Sequence, residues 1–229
     1  KIEKKLKKRN YLINFGGYVL HNDKKKVKNS HYIGAKNLIN LFSKKKISLF
    51  IQIGSSMEYG KIYSPQKESY NPKPISFYGK AKLSATRFAQ MTSISKGFPI
   101  IVLRLYQIYG PYQDTNRLIP FVVDQCLKKK NFPCSSGDQK RDFLYIDDFV
   151  NCIKIIFKTK KIPFGEVFNV GYGKSLKVKN LINTINKKIK SGKPKFGEIL
   201  LRSEESKDTY PDLKKIKKIF KWRPKISIN

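Results

Sequence analysis

Three short, almost unbroken apolar runs constrain this chain more than any other feature: Tyr11-Leu12-Ile13-Asn14-Phe15, Ile47 to Ile53 and Phe98 to Tyr106. A strand covered on both faces reads as such a run, whereas a strand with one wet face alternates. Between the runs lie segments long enough to cross over a sheet. From about Asn29 to Ser43 apolar residues (Ile33, Leu38, Leu41, Phe42) recur at helical spacing, and Ser76 is the expected N-cap of a helix running to about Ser95. Pro65, Pro72 and Pro74 mark an irregular loop ahead of that helix. Parallel strands need crossovers of this size and hairpins do not. The expectation is an α/β fold on a doubly wound parallel sheet, with ligands beyond the carboxyl ends of its strands. Gly16-Gly17, Ser55 and Gln107 all fall at those ends.

Further on, the patterns predict a helix over Arg117 to Lys130, a strand over Phe143 to Ile146, and a helix N-capped by Asp147. A strand over Glu166 to Val170, a basic amphipathic helix over Leu176 to Ile189 and a last helix over Pro211 to Phe220 follow. Arg104 reads as a buried structural partner on its strand, Glu58 as a surface carboxylate, Asp147 and Asp148 as helix-start residues, and Trp222 as a packing residue. Gly171-Tyr172-Gly173-Lys174-Ser175 imitates the end of a phosphate loop, but Phe168 stands where the first glycine is required. No apolar run reaches the ~18 residues that cross a bilayer. The basic start, Lys1 to Arg9, has no apolar segment behind it, so no signal peptide is expected. Without an initiator Met, the chain is expected to begin inside a longer protein.

Cys126, Cys134 and Cys152 are odd in number and lack metal or redox spacing, which suits a reducing cytoplasm. His21 and His31 are the only histidines, so neither a zinc site nor a Ser-His-Asp hydrolase is expected. Tyr78 and Lys82, four residues apart, share one face of a helix, and Ser55 closes the second apolar run 23 residues upstream of the tyrosine. A free phenol has a pKa of about 10 and is a poor base at neutral pH. A neighbouring ammonium favours the phenolate and is expected to bring that value down. Ser, Tyr and Lys so arranged can move a proton on or off a hydroxyl while a nicotinamide handles the hydride.

Further motifs occur in order: Ser55-Ser56 with Tyr59-Gly60; Tyr78 with Lys82; Arg104-Leu105-Tyr106-Gln107-Ile108-Tyr109-Gly110-Pro111; and Leu118-Ile119-Pro120. Gly137-Asp138-Gln139-Lys140-Arg141-Asp142-Phe143 through Asp148, Phe168-Asn169-Val170-Gly171 and Trp222-Arg223-Pro224 complete the series. With these the chain resembles, from about Leu12 to Pro224, the extended short-chain dehydrogenase/reductase family, specifically its nucleotide-sugar epimerases and reductases.

The resemblance implies an incomplete Rossmann-like dinucleotide-binding domain over 1–115 and 142–172 and a small nucleotide-sugar-binding α/β subdomain over 116–141 and 173–229. It implies NAD or NADP as cofactor, a nucleotide sugar as substrate and, at full length, a homodimer packed through helices. Tyr78 would be the catalytic acid/base, Lys82 the holder of the cofactor ribose, Ser55 the hydrogen-bond partner of the reacting oxygen, and Gly16-Gly17 the turn beside the cofactor. Gln107, Asn116, Arg117, Leu118, the Phe132-to-Cys134 segment, Arg141, Arg202 and Glu205 would hold the nucleotide sugar. Arginine suits pyrophosphate because its planar fork makes paired charge-assisted hydrogen bonds.

The departures from the family are equally specific. The glycine-rich phosphate loop and its following acidic residue are absent, so N-terminal truncation is expected, with an exposed apolar sheet edge beside Tyr11 to Phe15. His31 replaces an Asn, Gln107 replaces the Asn of many sugar epimerases, and Met57 stands where dehydratases carry an acidic residue, which disfavours 4,6-dehydration. The Gly137-to-Arg141 turn and the Phe196-to-Arg202 stretch are similar to the CDP-abequose and paratose synthases, which reduce 4-keto sugars.

The net charge of +33 raises the question of nucleic acid. Of 49 basic residues 42 are Lys, scattered over nearly every segment, and three of the seven Arg (Arg117, Arg141, Arg202) fall on the implied nucleotide-sugar positions. No specific nucleic-acid partner is expected, only polyanion affinity that falls with salt. The rival reading is a catalytically inactive Rossmann-like scaffold or polyanion-binding module; intact Ser55, Tyr78 and Lys82 count against it.

Overall fold

The computed structural model describes residues 10–18, 23–201 and 206–228. Its strands are β1 (Tyr11–Asn14), β2 (Leu49–Ser55), β3 (Ile100–Leu105), β4 (Gln107–Tyr109), β5 (Asn131–Cys134), β6 (Lys140–Tyr145), β7 (Val167–Val170), β8 (Ser175–Lys177), β9 (Lys193–Phe196) and β10 (Asp208–Thr209). The helices are α1 (Lys24–Lys28), α2 (Gly34–Phe42), α3 (Phe77–Lys96), α4 (Leu118–Leu127), α5 (Ile146–Lys158), α6 (Val178–Ile189) and α7 (Lys214–Phe220). A π-helical turn over Asn29–Ile33 joins α1 to α2.

The main sheet has the order β1-β2-β3-β7, and every pairing in it is parallel. Alternation along its strands sorts the apolar residues to two faces. Leu49, Ile51, Ile53, Ile101 and Leu103 pack against Phe149, Cys152 and Ile156 of α5, Ile216 and Phe220 of α7, and Trp222. Phe50, Ile100 and Val102 face the other way, toward Ile39 and Phe42 of α2 and Ala89 of α3. Cover on both faces is the physical reason the strands read as unbroken apolar runs.

A third core lies off this sheet, where Val122 and Cys126 of α4, Phe132 and Cys134 of β5, Phe143 of β6, and Val178, Leu181 and Ile182 of α6 meet. A second sheet, β10-β6-β4 with β8 antiparallel to β6, and the parallel pair β5-β9 accompany it. These strands are two to six residues long and, apart from the Phe143-to-Tyr145 end of β6, carry no apolar run, which is why the sequence patterns pass over most of them. Among the described residues β1 pairs only with β2 and so lies at a sheet edge. Its flanks are partly covered, since Tyr11 stacks on Phe157 with centroids 4.5 Å apart and Phe15 meets Phe149 edge-on at 6.1 Å.

One cap differs from expectation. Tyr145, not Asp147, occupies the N-cap of α5, because β6 runs straight into the helix and leaves no residue between. Asp148 is buried and holds the C-terminal segment: its Oδ2 accepts the backbone N–H of Lys225 at 2.9 Å and of Ile226 at 2.8 Å. Trp222 is buried as expected, its indole N–H donating to the Asp148 carbonyl at 3.2 Å. Asp148→Ala, which leaves those N–H groups without their acceptor, is expected to cost about 1–3 kcal/mol in urea unfolding. Asp147→Ala, on the exposed side of the same turn, should cost less than about 1 kcal/mol. Equal effects would contradict this account of the C-terminal clamp.

Candidate active site

The site begins at the carboxyl end of β2. Ser55 caps a tight turn over Ser56–Glu58: its Oγ accepts the Met57 N–H at 3.2 Å, while Glu58 Oε1 accepts the Ser55 N–H at 2.9 Å. Gly54 makes this possible, since a Cβ there would lie 2.6 Å from Glu58 Oε1. The sequence reading of Glu58 as a surface carboxylate is overturned. Glu58 is fully buried and paired with Arg104, whose Nε donates to Glu58 Oε2 at 2.8 Å. Arg104, as expected, is a buried partner; its guanidinium lies 4.6 Å from the Tyr59 ring centre.

Helix α3 brings the second group. Ser76 caps it as expected, Oγ accepting the Gly79 N–H at 3.0 Å. Gly79 lets the first turn press onto the β2 turn, because a Cβ there would meet the Met57 carbonyl oxygen at 2.4 Å. The contact carries Tyr78 to Ser55, whose side chain acts to lower the pKa of the phenol. Lys82 lies one turn on, buried, with Nζ donating to the Ile53 carbonyl at 2.9 Å and 5.8 Å from the Tyr78 ring centre.

The expected lowering of the Tyr78 pKa by Lys82 does not occur in this arrangement. Burial dominates and holds the Tyr78 phenol above its ordinary value; the Ser55 hydrogen bond and the Arg117 charge pull it down and Glu58 pushes it up. Burial also brings the Lys82 ammonium from 10.5 to about 8, against the opposing attraction of Glu58. A low-dielectric pocket penalises each charged form, and the neighbouring charge does not offset it.

Gly16 and Gly17 follow β1 and are exposed. A Cβ on Gly17 would strike His31 Cε1 at 2.2 Å. Buried His31, on the π-helical turn, meets Tyr78 edge-on with centroids 4.9 Å apart and lies 3.0 Å through Nε2 from the Tyr18 carbonyl. Glycine turn, His31, Tyr78 and Ser55 are thus contiguous.

On the other side, Ser55 is in register with Leu105, two residues before Gln107. Gln107 opens a cavity of about 410 Å³ that is also lined by Asn116, Leu118, Cys134 and Arg141, five of the residues singled out from sequence for the nucleotide sugar. Arg117 is not on that wall; it is exposed at the N-cap of α4, where its charge acts on Tyr78. Arg202 and Glu205 lie outside the described residues. Phe121, Ser135, Gln139 and Ile199 also line the cavity and were not singled out from the sequence; only Ser135 and Gln139 lie within two residues of Cys134 or Arg141, and no local signal marks the other two. A separate cleft of about 490 Å³ between Lys67, Glu68, Glu166, Asp212 and Lys215 contains no residue expected in the site. No cluster of metal-ligating side chains exists among the described residues.

The arrangement gathers a serine, a tyrosine and a buried lysine at the carboxyl end of a parallel α/β sheet, beside a bare glycine turn and a cavity of mixed polar and apolar lining. The NAD dependent epimerase/dehydratase family matches residues 2–171, and the chain belongs to that family. It is 28% identical over 204 residues to an uncharacterized UDP-glucose epimerase of Bacillus subtilis, across 87% of this chain and 63% of that protein. It is 31% identical over 143 residues to the CDP-abequose synthase of Salmonella typhimurium, across 60% of this chain and 46% of that protein. UDP-glucuronic acid 4-epimerase of Bacillus cereus, solved with UDP-glucuronic acid and NAD, matches with a TM-score of 0.88 at 26% identity, over 95% of this chain and 71% of that one. The chain spans less than two thirds of the length of these curated relatives.

Lys82 is expected to titrate in the folded chain with a midpoint of about 8, followed by NMR of its ε-methylene and assigned with Lys82→Met. From there up to about 10.5 the unfolded chain still holds the proton that the folded chain has released, so Lys82 adds stability as pH rises through that window. A midpoint at the ordinary lysine value would contradict the burial described.

Proposed function

We propose that this chain carries the proton-transfer centre and nucleotide-sugar cavity of an NAD(P)-dependent oxidoreductase acting at C4 of the sugar, a nucleotide-sugar epimerase or 4-keto-sugar reductase. The single observation that carries the reading is the convergence of the Ser55 side chain on the Tyr78 phenol, with Lys82 Nζ 5.8 Å from the tyrosine ring centre. Tyr78, held as a phenol by burial, donates its proton to a C4 carbonyl oxygen and takes it back in the reverse direction. Ser55 gives the same oxygen a second hydrogen bond, its own position fixed by the β2 turn. Lys82 holds the ribose hydroxyls of the cofactor and steadies negative charge on the Tyr78 oxygen.

Gly16 and Gly17 fit a nicotinamide nucleotide, since exposed backbone without side chains admits a ring and ribose close to Tyr78. When bound, the nicotinamide supplies or accepts the hydride at C4. Arg141, Asn116, Gln107, Leu118 and Cys134 would receive the nucleotide sugar in the cavity, with Arg117, Arg202 and Glu205 completing its contacts. On this reading 116–141 and 173–229 form the sugar-binding subdomain, and 1–115 with 142–172 the dinucleotide side. Exposed Met57, where the dehydratases carry an acid, favours C4 chemistry without 4,6-dehydration. Exposed Leu38 and Leu41 on α2 with Met91 and Ile94 on α3 support a homodimer through these helices. Three buried free cysteines suit the cytoplasm.

The test is Tyr78→Phe in the full-length protein, assayed with UDP-, CDP- and dTDP-sugars and NAD or NADP. Turnover is expected to fall by about 10²–10⁴-fold with substrate binding kept within a few-fold. Unchanged turnover would remove the mechanism.

A further inference from the structure

Glu58 and Arg104 form an ion pair, both side chains essentially inaccessible at 0% and 4%, directly beneath the proton-transfer centre. A buried pair of this kind costs desolvation on both sides and is often replaceable by apolar residues without loss of stability. Its presence here therefore asks for something besides stability. Three contacts say what it does here. Glu58 Oε1 accepts the Ser55 N–H at 2.9 Å, fixing the peptide that carries the serine. Gly54 leaves the space that this carboxylate oxygen occupies. Lys82 Nζ is bound one residue upstream, to the Ile53 carbonyl at 2.9 Å, so carboxylate and ammonium converge on consecutive peptide units of one strand end.

We propose that Glu58, held by Arg104, is a positioning residue: its carboxylate fixes the Ser55 peptide and sets a negative charge against the strand end to which the buried Lys82 ammonium is bound. The inference rests on the reading of Ser55, Tyr78 and Lys82 as the working centre. The charged and titratable groups around that centre are few. Glu58 comes from the β2 turn and Tyr78 from the helix of Lys82 itself. Arg104 of β3 is engaged by Glu58, and His31 and Arg117 reach Tyr78. Of these, Glu58 is the one that acts to raise the Lys82 proton affinity, against the burial that lowers it. The pairing with Arg104, made through the other carboxylate oxygen, keeps Oε1 aimed at Ser55.

The experiment follows Lys82 by NMR in this 229-residue chain, a readout that needs neither cofactor nor turnover. Glu58→Gln keeps the size of the side chain and removes its charge; the Lys82 midpoint is expected to fall by about one pH unit, a tenfold loss of proton affinity. Glu58→Gln with Arg104→Met, which leaves no uncompensated guanidinium, should give the same fall and covers the case in which the single variant does not fold. Glu58→Asp keeps the charge but withdraws it from Ser55, so Lys82 should stay near its original midpoint. In the full-length protein Glu58→Asp should lower kcat while KM stays within a few-fold. An unmoved midpoint in the charge-removing variants that fold, or full kcat in Glu58→Asp, overturns the proposal. Retained turnover in Tyr78→Phe would instead strike the underlying reading, so the two failures are told apart.

Discussion

Two surfaces that meet without room for a single methyl group set the geometry on which everything else rests. The turn closing β2 lies against the first turn of α3, where Gly79 faces the Met57 carbonyl, and inside the turn Gly54 faces the Glu58 carboxylate. A side chain at either glycine would have to displace backbone or a buried charge. Because the contact is that close, a serine at a strand end acts on a tyrosine at a helix start although 23 residues separate them. The parallel sheet makes the placement stable, since apolar cores on both faces fix the strand to which the turn belongs.

Within that frame burial is the largest influence on the electrostatics. Burial shifts Tyr78 upward and Lys82 downward, so both neutral forms gain, and no simple picture of an ammonium lowering a phenol describes them. The charges that remain are arranged around the pair: Glu58 below, against Arg104, and Arg117 acting on Tyr78 from the start of α4. On the proposed function, a protonated phenol beside a serine hydroxyl would serve as the acid toward a carbonyl oxygen, the direction of proton movement in reduction of a 4-keto sugar.

Much of this was legible in the sequence, and the gaps have physical causes. The three apolar runs identify β1, β2 and β3 because both sheet faces are covered, and Ser76 and the Tyr78–Lys82 spacing locate α3 and its inner face. Five cavity residues were reachable only through the family resemblance. Glu58 was misread because its partner Arg104 lies 46 residues away, and a carboxylate in a polar turn looks solvated until the tertiary contact is known. Asp147 was misread as a cap because cap residues are recognised by type, whereas here the strand leads into the helix without a break and Asp148 serves a distant segment. Strands such as β5 and β9 pair across a long separation and carry charges or prolines, so no local periodicity marks them.

Membership of the epimerase/dehydratase family joins these residues to relatives that differ among themselves in sugar and outcome. What the proposed chemistry demands of all of them is one oxygen reached by two hydroxyls at once. The most direct measurement is a crystal structure of the full-length protein with nicotinamide cofactor and a nucleotide sugar bound. The account requires the sugar C4 oxygen within about 2.6–3.2 Å of both the Ser55 and the Tyr78 hydroxyl oxygens, with the nucleotide in the cavity of Gln107 and Arg141. A sugar seated away from those two hydroxyls, with C4 turned from Tyr78, would contradict it.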